Sequence, residues 1–111
     1  MICRLWHGWT PAERAEAYER LLREEIFVGI AARDIDGFLG IELLRRDAGA
    51  EVEFVTVMWF ASLDAVREFA GADYERAVVP PAARALLGRF DDRAAHFDVL
   101  VPGPGHGAPR S

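Results

Sequence analysis

The chain contains no lysine, asparagine or glutamine in its 111 residues, and all 13 of its permanently charged basic residues are arginine. A Schiff-base enzyme needs a lysine, and a nucleotide-binding P-loop needs the lysine of its GxxxxGK motif. Without asparagine, neither an N-glycosylation site nor an asparagine oxyanion donor can exist. These absences exclude mechanisms that depend on lysine or on a side-chain amide.

Cysteine and long apolar runs are also scarce. Cys3 is the only cysteine, which excludes an internal disulfide and a cysteine-rich zinc site. No apolar run approaches the roughly 18 residues of a membrane-spanning helix. The first residues also lack the pattern of a secretory leader. We therefore expect a cytoplasmic protein that does not enter a membrane.

The charge balance is acidic, with 18 aspartate and glutamate residues and a formal net charge of −5. Binding to a phosphate backbone requires a basic patch. Here Arg45 and Arg46 form the only arginine doublet, and Asp47 follows them directly. We therefore expect no nucleic-acid partner.

Hydrophobic patterning predicts four strands and two main helices. The residues from Thr10 to Glu13 are typical of a helix start, because threonine can cap free N–H groups and Glu13 completes a capping box. Ser62 is the expected N-cap of the second main helix. The expected strands are 2–9, 38–46, 51–60 and 93–101. The first expected helix runs from 11 to about 25, with a continuation that is broken near Gly29. The second covers 63–70, and further helical turns are expected in 72–79 and 82–87.

The resulting order, β-α-β-β-α-β, is the ferredoxin-like α+β order. It predicts a four-stranded antiparallel sheet with both helices on one face, formed by a single domain over residues 1–101. Residues 102–111 form a tail rich in glycine and proline, which we expect to be disordered.

The third strand is apolar on both of its faces. Val52, Phe54 and Met58 alternate with Val55 and Val57, although helices can cover only one face of such a sheet. Either a second copy of the chain or another protein would then cover the second face. We favour a homodimer in which two sheets pack face to face, because the chain has no other element to cover this face.

Residues 59–69 (WFASLDAVREF) resemble the W-x-S-x-x-A-x-x-x-F signature of antibiotic biosynthesis monooxygenase domains, which belong to the dimeric α/β-barrel superfamily. The resemblance extends over about residues 1–101. It implies a cavity between helices and sheet that holds a small hydrophobic or aromatic molecule. Some members of the family oxidise polycyclic phenols with O2 and without a cofactor.

Other members of that family degrade haem with an asparagine on the first strand, a tryptophan at the end of the third and a histidine on the second helix. By the resemblance, Trp59 matches the tryptophan. The asparagine position falls near His7 and the haem-ligating histidine near Phe69, so neither residue is present. The resemblance therefore disfavours haem degradation and implies a protein without cofactor or metal.

Three residues are candidates for catalysis. Histidine is the natural general base near neutral pH, and only His7 and His96 lie within the folded region. Trp59 is the expected apolar wall of the cavity, where its ring could stack on a planar ligand, unless it is simply a core or interface residue. Each histidine has the corresponding structural alternative of a half-buried, hydrogen-bonded side chain.

Arg4 and Trp6 are the candidate substrate-binding residues. Arg4 can bind a phenolate or a carboxylate, unless it pairs with Asp98 on the last strand. The register of these two strands decides which side chains share a face. With Arg4 opposite Asp98, Trp6 lies opposite His96 and His7 points to the other face, whereas a one-residue slip puts both histidines on one face. We favour the first register because it pairs opposite charges.

The favoured hypothesis is a cofactor-independent monooxygenase that oxidises a small aromatic or polyketide-like substrate with O2 in the cavity. One alternative is a non-enzymatic dimeric module that binds a small hydrophobic ligand. Another is a non-oxidative acid/base enzyme of the same fold, such as an isomerase or cyclase. The volume and polarity of the cavity discriminate between these hypotheses.

Overall fold

The computed structural model describes residues 1–101 and 103–104. Its strands form one antiparallel sheet in the order β2-β3-β1-β4, with β5 also paired to β1. The predicted ferredoxin-like α+β fold is confirmed, with five strands instead of four. The strands are β1 (Ile2–Pro11), β2 (Phe38–Ala48), β3 (Glu51–Phe60), β4 (Arg89–Phe90) and β5 (Ala95–Asp98). Most of the predicted disordered tail, residue 102 and residues 105–111, lies outside the described residues.

The helices cover one face of the sheet. The first helical stretch is continuous over residues 12–32 but irregular, since a π-helical segment interrupts it at Leu22–Ile26, and not near Gly29 as expected. No helix among the described residues is long and apolar enough to cross a bilayer. The helical elements are a 3-10 turn (Ala12–Arg14), α1 (Ala15–Leu21), the π segment, α2 (Phe27–Ala32), α3 (Leu63–Ala70) and α4 (Pro81–Leu86).

The predicted capping box at the first helix is wrong. Thr10 and Pro11 continue β1 and pair with Val52 and Glu51 of β3, so the strand extends two residues beyond the expected end. The Thr10 hydroxyl is buried without a hydrogen-bond partner among the described residues. Long-range strand pairing here outweighs the local preference of threonine for a cap.

The second main helix forms as predicted. The Ser62 hydroxyl accepts a hydrogen bond from the Ala65 backbone N–H at 3.2 Å, and Asp64 lies in the positively polarised first turn. Gly71 ends the helix with a φ of 93°, a left-handed conformation that glycine adopts without steric cost. Local sequence therefore determines both ends of α3.

The predicted helical turns in residues 72–79 are wrong. Their backbone pairs with a later segment: the Ala77 N–H donates to the Asp92 carbonyl at 2.8 Å, and the Ala94 N–H to that of Glu75 at 2.7 Å. The predicted last strand, 93–101, is shortened to β5 (Ala95–Asp98), and it starts later than expected because residues 93 and 94 are engaged in this pairing. Non-local hydrogen bonds thus replace the helical ones.

The two sheet faces have different surroundings. Along β1, Arg4 and Trp6 face the helices, and the alternating residues face outward. No element of the described residues covers this second surface, which we call the outer face. Leu44 and Phe97 remain 49% and 54% exposed there. Its apolar side chains come from Cys3, Leu5, Leu44, Val55, Val57, Trp59 and Phe97.

Candidate functional site

A cavity of about 60 Å³ lies between the first helical stretch and the sheet. Its lining is almost entirely apolar and includes Leu22 and Ile26 of the π segment. Arg4, Tyr18 and Thr56 are the polar side chains that reach it, apart from the indole of Trp6. An apolar cavity with a few polar groups is typical of a small-molecule site.

The cavity is small for this purpose. An engineered cavity of roughly 150 Å³ admits benzene, and ligand sites commonly measure about 300–1,000 Å³. An aromatic ring therefore enters only if side chains of the wall move. The segment of Val78, Val79 and Pro80 forms part of the wall without regular secondary structure, and Val78 is 44% exposed. This segment is the wall best placed to move.

Arg4 reaches the cavity from β1 and is only 3% exposed. Its Nη1 donates to the Tyr74 carbonyl at 2.5 Å and to Nε2 of His96 at 2.9 Å, and its Nη2 donates to the Arg76 carbonyl at 3.2 Å. Its Cζ lies 5.4 Å from the centre of the Phe69 ring, within the range of a cation–π contact. Burial lowers the pKa of Arg4 to about 10, so the side chain stays charged at neutral pH.

The predicted pairing of Arg4 with Asp98 is wrong. Arg4 lies opposite His96, and Asp98 lies opposite Ile2, so the register differs from the favoured one by two residues. A shift of two preserves the face of every side chain. His96 therefore still lies on the same face as Arg4, and His7 lies on the other, as predicted.

His96 lies beside Arg4 but does not line the cavity. A guanidinium cannot accept a hydrogen bond, so the Nε2 that receives the Arg4 donor carries a lone pair. Burial and the Arg4 charge lower the pKa of His96, and the smaller effect of Glu75 opposes them. The lowered pKa favours a neutral imidazole, whose proton is then on Nδ1. That Nδ1 is buried without a partner among the described residues.

Tyr18 and Thr56 are cavity residues that the sequence analysis did not single out. Tyr18 is 1% exposed, its ring centre lies 4.8 Å from that of Phe54, and burial raises the pKa of its hydroxyl, which keeps it neutral. The sequence contains a feature that could have identified each of them. Tyr18 is a polar-tipped residue on an apolar helix stripe, and Thr56 interrupts the apolar alternation of β3.

Trp6 lines the cavity, and its Nε1 donates to the Asp91 carbonyl at 2.7 Å. The hydrogen bond ties the indole to the segment after β4, so the ring has a fixed position. Trp6 is therefore placed where a substrate-binding role was expected.

Trp59 does not form a wall of the cavity. It pairs with Cys3 and belongs to the outer face, whereas the next residue, Phe60, is 0% exposed on the helix-facing side. In the W-x-S part of the signature, one residue separates the tryptophan from the serine. If Ser62 is that serine, the tryptophan position falls on Phe60 and not on Trp59, which lies one residue earlier. In a strand, a displacement of one residue reverses the face.

His7 also lies on the outer face, away from the cavity of its own chain. Its Nδ1 is 2.9 Å from a carboxylate oxygen of Glu53, and Arg46 donates to the other oxygen. Hydrogen bonds from His7 and then Arg46 lower the pKa of Glu53 below its ordinary value. His7 therefore belongs to a surface cluster of charged residues and not to the cavity.

The cavity residues do not fit haem or a bound metal ion. No histidine or cysteine lines the cavity, so neither residue type can ligate a haem iron there. Within residues 1–101 and 103–104, no group of three His, Cys, Asp or Glu side chains could hold a metal ion.

Fold and site together define a ferredoxin-like α+β protein with an apolar cavity between helices and sheet. Solved structures share this architecture. One, a Bacillus cereus protein assigned to the antibiotic biosynthesis monooxygenases, is 14% identical, with a TM-score of 0.63, and the match covers 94% of this chain and 97% of that one. The second, a variant of MhuD with two manganese protoporphyrin IX molecules bound per active site, is 22% identical, with a TM-score of 0.65 and coverage of 95% and 100%.

The protein therefore has the antibiotic biosynthesis monooxygenase-like fold that residues 59–69 suggested. No family model matches the chain, and no curated protein matches its sequence. At these identities the likeness establishes the fold alone, because this fold hosts many unrelated activities.

Proposed function

We propose that the protein is a monooxygenase that oxidises a small aromatic or polyketide-like substrate with O2 and without a cofactor. The observation that carries the proposal is the apolar cavity, in which Arg4, Tyr18 and Thr56 supply the few polar contacts. The structural likeness to a protein assigned as a monooxygenase agrees with it.

The proposed reaction balances without a further reductant. A phenolic substrate loses its hydroxyl proton to solvent water, and the resulting phenolate, whose negative charge extends onto the ring carbons, passes one electron to O2, which a neutral phenol does poorly. The phenoxyl radical and superoxide combine into a peroxide at a ring carbon that bears a hydrogen; the peroxide takes up a proton and then releases water to leave a second carbonyl on the ring. One oxygen atom thus enters the product and the other leaves as water.

The protein's part in this reaction is to hold the substrate anion in an apolar, water-poor site. Histidine and carboxylate are both missing from the cavity lining, so no base among the described residues contacts a substrate there directly. We assign His96 a positioning role behind Arg4, since its Nε2 accepts the Arg4 hydrogen bond. His7, on the outer face, has no part in this proposal.

Oxygen consumption with a panel of polycyclic phenols tests the function. The expected result is consumption with a product in which one isotopically labelled oxygen atom replaces two hydrogens. Thr56→Phe, which fills the cavity, should abolish the activity, whereas Val28→Phe should not, because Val28 is 59% exposed on α2 and does not line the cavity. No consumption with any substrate, or an unchanged rate in Thr56→Phe, would refute the proposal.

The small cavity volume favours a second candidate, a non-enzymatic module that binds a small hydrophobic ligand. In that case a phenol would bind without consuming O2. Turnover that persists in the absence of O2 would instead identify an isomerase or cyclase. A cytoplasmic location, expected from the sequence, stays a prediction.

We also propose that a second copy of the chain covers the outer face. Leu44 and Phe97 are about half exposed there, and monomers rarely expose a large contiguous apolar patch. Two identical faces can pair around a two-fold axis. Leu44→Glu and Phe97→Glu are expected to give monomers in sedimentation analysis, whereas Val28→Glu, 59% exposed on α2, should not. A monomeric wild type would overturn this proposal.

A further inference from the structure

Arg4 is the one buried arginine among the described residues, and it has no acidic partner. The ion-paired arginines of the fold, such as Arg46 and Arg89, are largely exposed and contact carboxylates. No carboxylate of residues 1–101 or 103–104 lies within 4.0 Å of the Arg4 guanidinium. A buried charge normally has a counter-charge, because its desolvation is costly.

The groups that hold Arg4 satisfy hydrogen bonds but supply no negative charge. They are the carbonyls of Tyr74 and Arg76 and the imidazole of His96. A guanidinium has five N–H donors, and three are engaged in these contacts. The donor on Nε and one on Nη2 have no partner among the described residues. These two donors are available to an anion.

The surroundings of Arg4 specify the rest of the ligand. Its walls include the rings of Trp6 and Phe69 and the side chain of Met58, which favour an apolar, planar body. The lining carries no Asp or Glu, so no group in the cavity would attract a cationic ligand. A single buried positive charge calls for a single negative charge.

We propose that Arg4 is the binding site for the anionic group of an aromatic monoanion, a carboxylate or a phenolate, whose ring enters the cavity as the wall formed by Val78, Val79 and Pro80 moves outward. The proposal rests on the cavity being the substrate site of the proposed function. The ligand's negative charge supplies the missing partner of Arg4, and its ring packs against Phe69. A phenolate bound in this way is also the form that reacts with O2.

Calorimetric titration of the full chain with benzoate and with its neutral amide, benzamide, tests the proposal. The two probes have nearly the same shape and differ in charge. We expect the wild type to bind benzoate at least about tenfold more tightly than benzamide. Arg4→Met should weaken benzoate binding by at least about tenfold and leave benzamide binding within about twofold.

Arg33→Met is the matched control. The Arg33 guanidinium lies 5.5 Å from the centre of the same Phe69 ring, but it is exposed and does not line the cavity. Its removal should leave the affinities for both probes unchanged. Arg4→Lys keeps a charge without the planar fork, so a reduced preference for benzoate should persist there.

The colour of para-nitrophenol distinguishes the two kinds of anion. If Arg4 binds phenolates, the wild type should raise the ionised, yellow fraction of this probe at constant pH, and Arg4→Met should not. A response to benzoate alone identifies a carboxylate site, and a response to para-nitrophenol alone identifies a phenolate site.

Two results would overturn the inference: a wild type that neither binds benzoate more tightly than benzamide nor raises the ionised fraction of para-nitrophenol, or unchanged binding in Arg4→Met of the anion that the wild type binds. The first needs only the wild type and holds even if Arg4→Met does not fold. Anion binding without O2 consumption on any phenol would support this inference and refute the monooxygenase proposal. O2 consumption that persists in Arg4→Met would support the monooxygenase proposal and refute the role of Arg4.

Discussion

Replacing Arg4 by methionine should change the stability of the fold very little, and this expectation separates a ligand-binding arginine from a structural one. Burial lowers the pKa of Arg4 to about 10. This lowering corresponds to a cost of at most roughly 3.5 kcal/mol for keeping the charge in the folded state, less where water still reaches the guanidinium. Methionine removes this cost while keeping most of the side-chain volume.

The opposing contribution comes from the three hydrogen bonds that Arg4 donates. A hydrogen bond from a charged group contributes a net stabilisation of about 1.5–3 kcal/mol, so the loss of three costs roughly 4.5 kcal/mol at the lower end of that range. The relief of the desolvation cost offsets most of this loss. We therefore expect the unfolding free energy of Arg4→Met to lie within about 1.5 kcal/mol of the wild type, a shift in Tm of no more than about 10 °C.

Urea unfolding followed by circular dichroism measures this difference. Wild type and variant must be compared at one protein concentration, because the stability of an oligomer depends on it. A loss of more than about 3 kcal/mol would refute the reasoning, since it would show that the guanidinium holds residues 74–76 and β5 in place. Arg4 would then be a structural residue.

Two further predictions concern β3. Phe60→Ala should destabilise the fold by about 3–5 kcal/mol in the same urea assay, because Phe60 is 0% exposed. Trp59→Ala, on the outer face, should mainly weaken self-association in sedimentation analysis. Similar effects of the two variants on the unfolding free energy would contradict the placement of these residues on opposite faces. The pKa of Glu53 is lowered by His7 and Arg46, so its stabilising effect is present above about pH 4.5 and disappears as the pH falls through its folded-state pKa. Glu53→Gln should therefore lower stability at neutral pH and flatten the decline below pH 4.5; an unchanged acid profile would contradict the assignment.

The elements that sequence predicted correctly depend on neighbours in the chain. The hairpin between β2 and β3 follows from two apolar runs of strand length separated by a short turn at Gly49, whose φ is 75°. The start of α3 follows from the Ser62 cap, a contact over three residues. Such short-range preferences act in the same way in any tertiary setting.

The errors arose where a distant partner decided the outcome. Thr10 is a good local cap, yet it joined the ladder with β3 because pairing with Val52 was available. The helical turns expected in residues 72–79 gave way to pairing with residues 92–94. In both places the local preference was real and weaker than the long-range hydrogen bonds.

The sequence by itself determined the order of elements, the apolar character of both sheet faces and a short list of residues able to do chemistry. Tertiary structure decided which of them meet. The register of β1 and β5 put His96, and not Asp98, opposite Arg4, and left the guanidinium without a counter-charge in the cavity. Strand alternation put Phe60 inside and Trp59 outside. The physical reason is that side-chain direction in a strand repeats every two residues, whereas the choice of partner depends on a register that distant segments set.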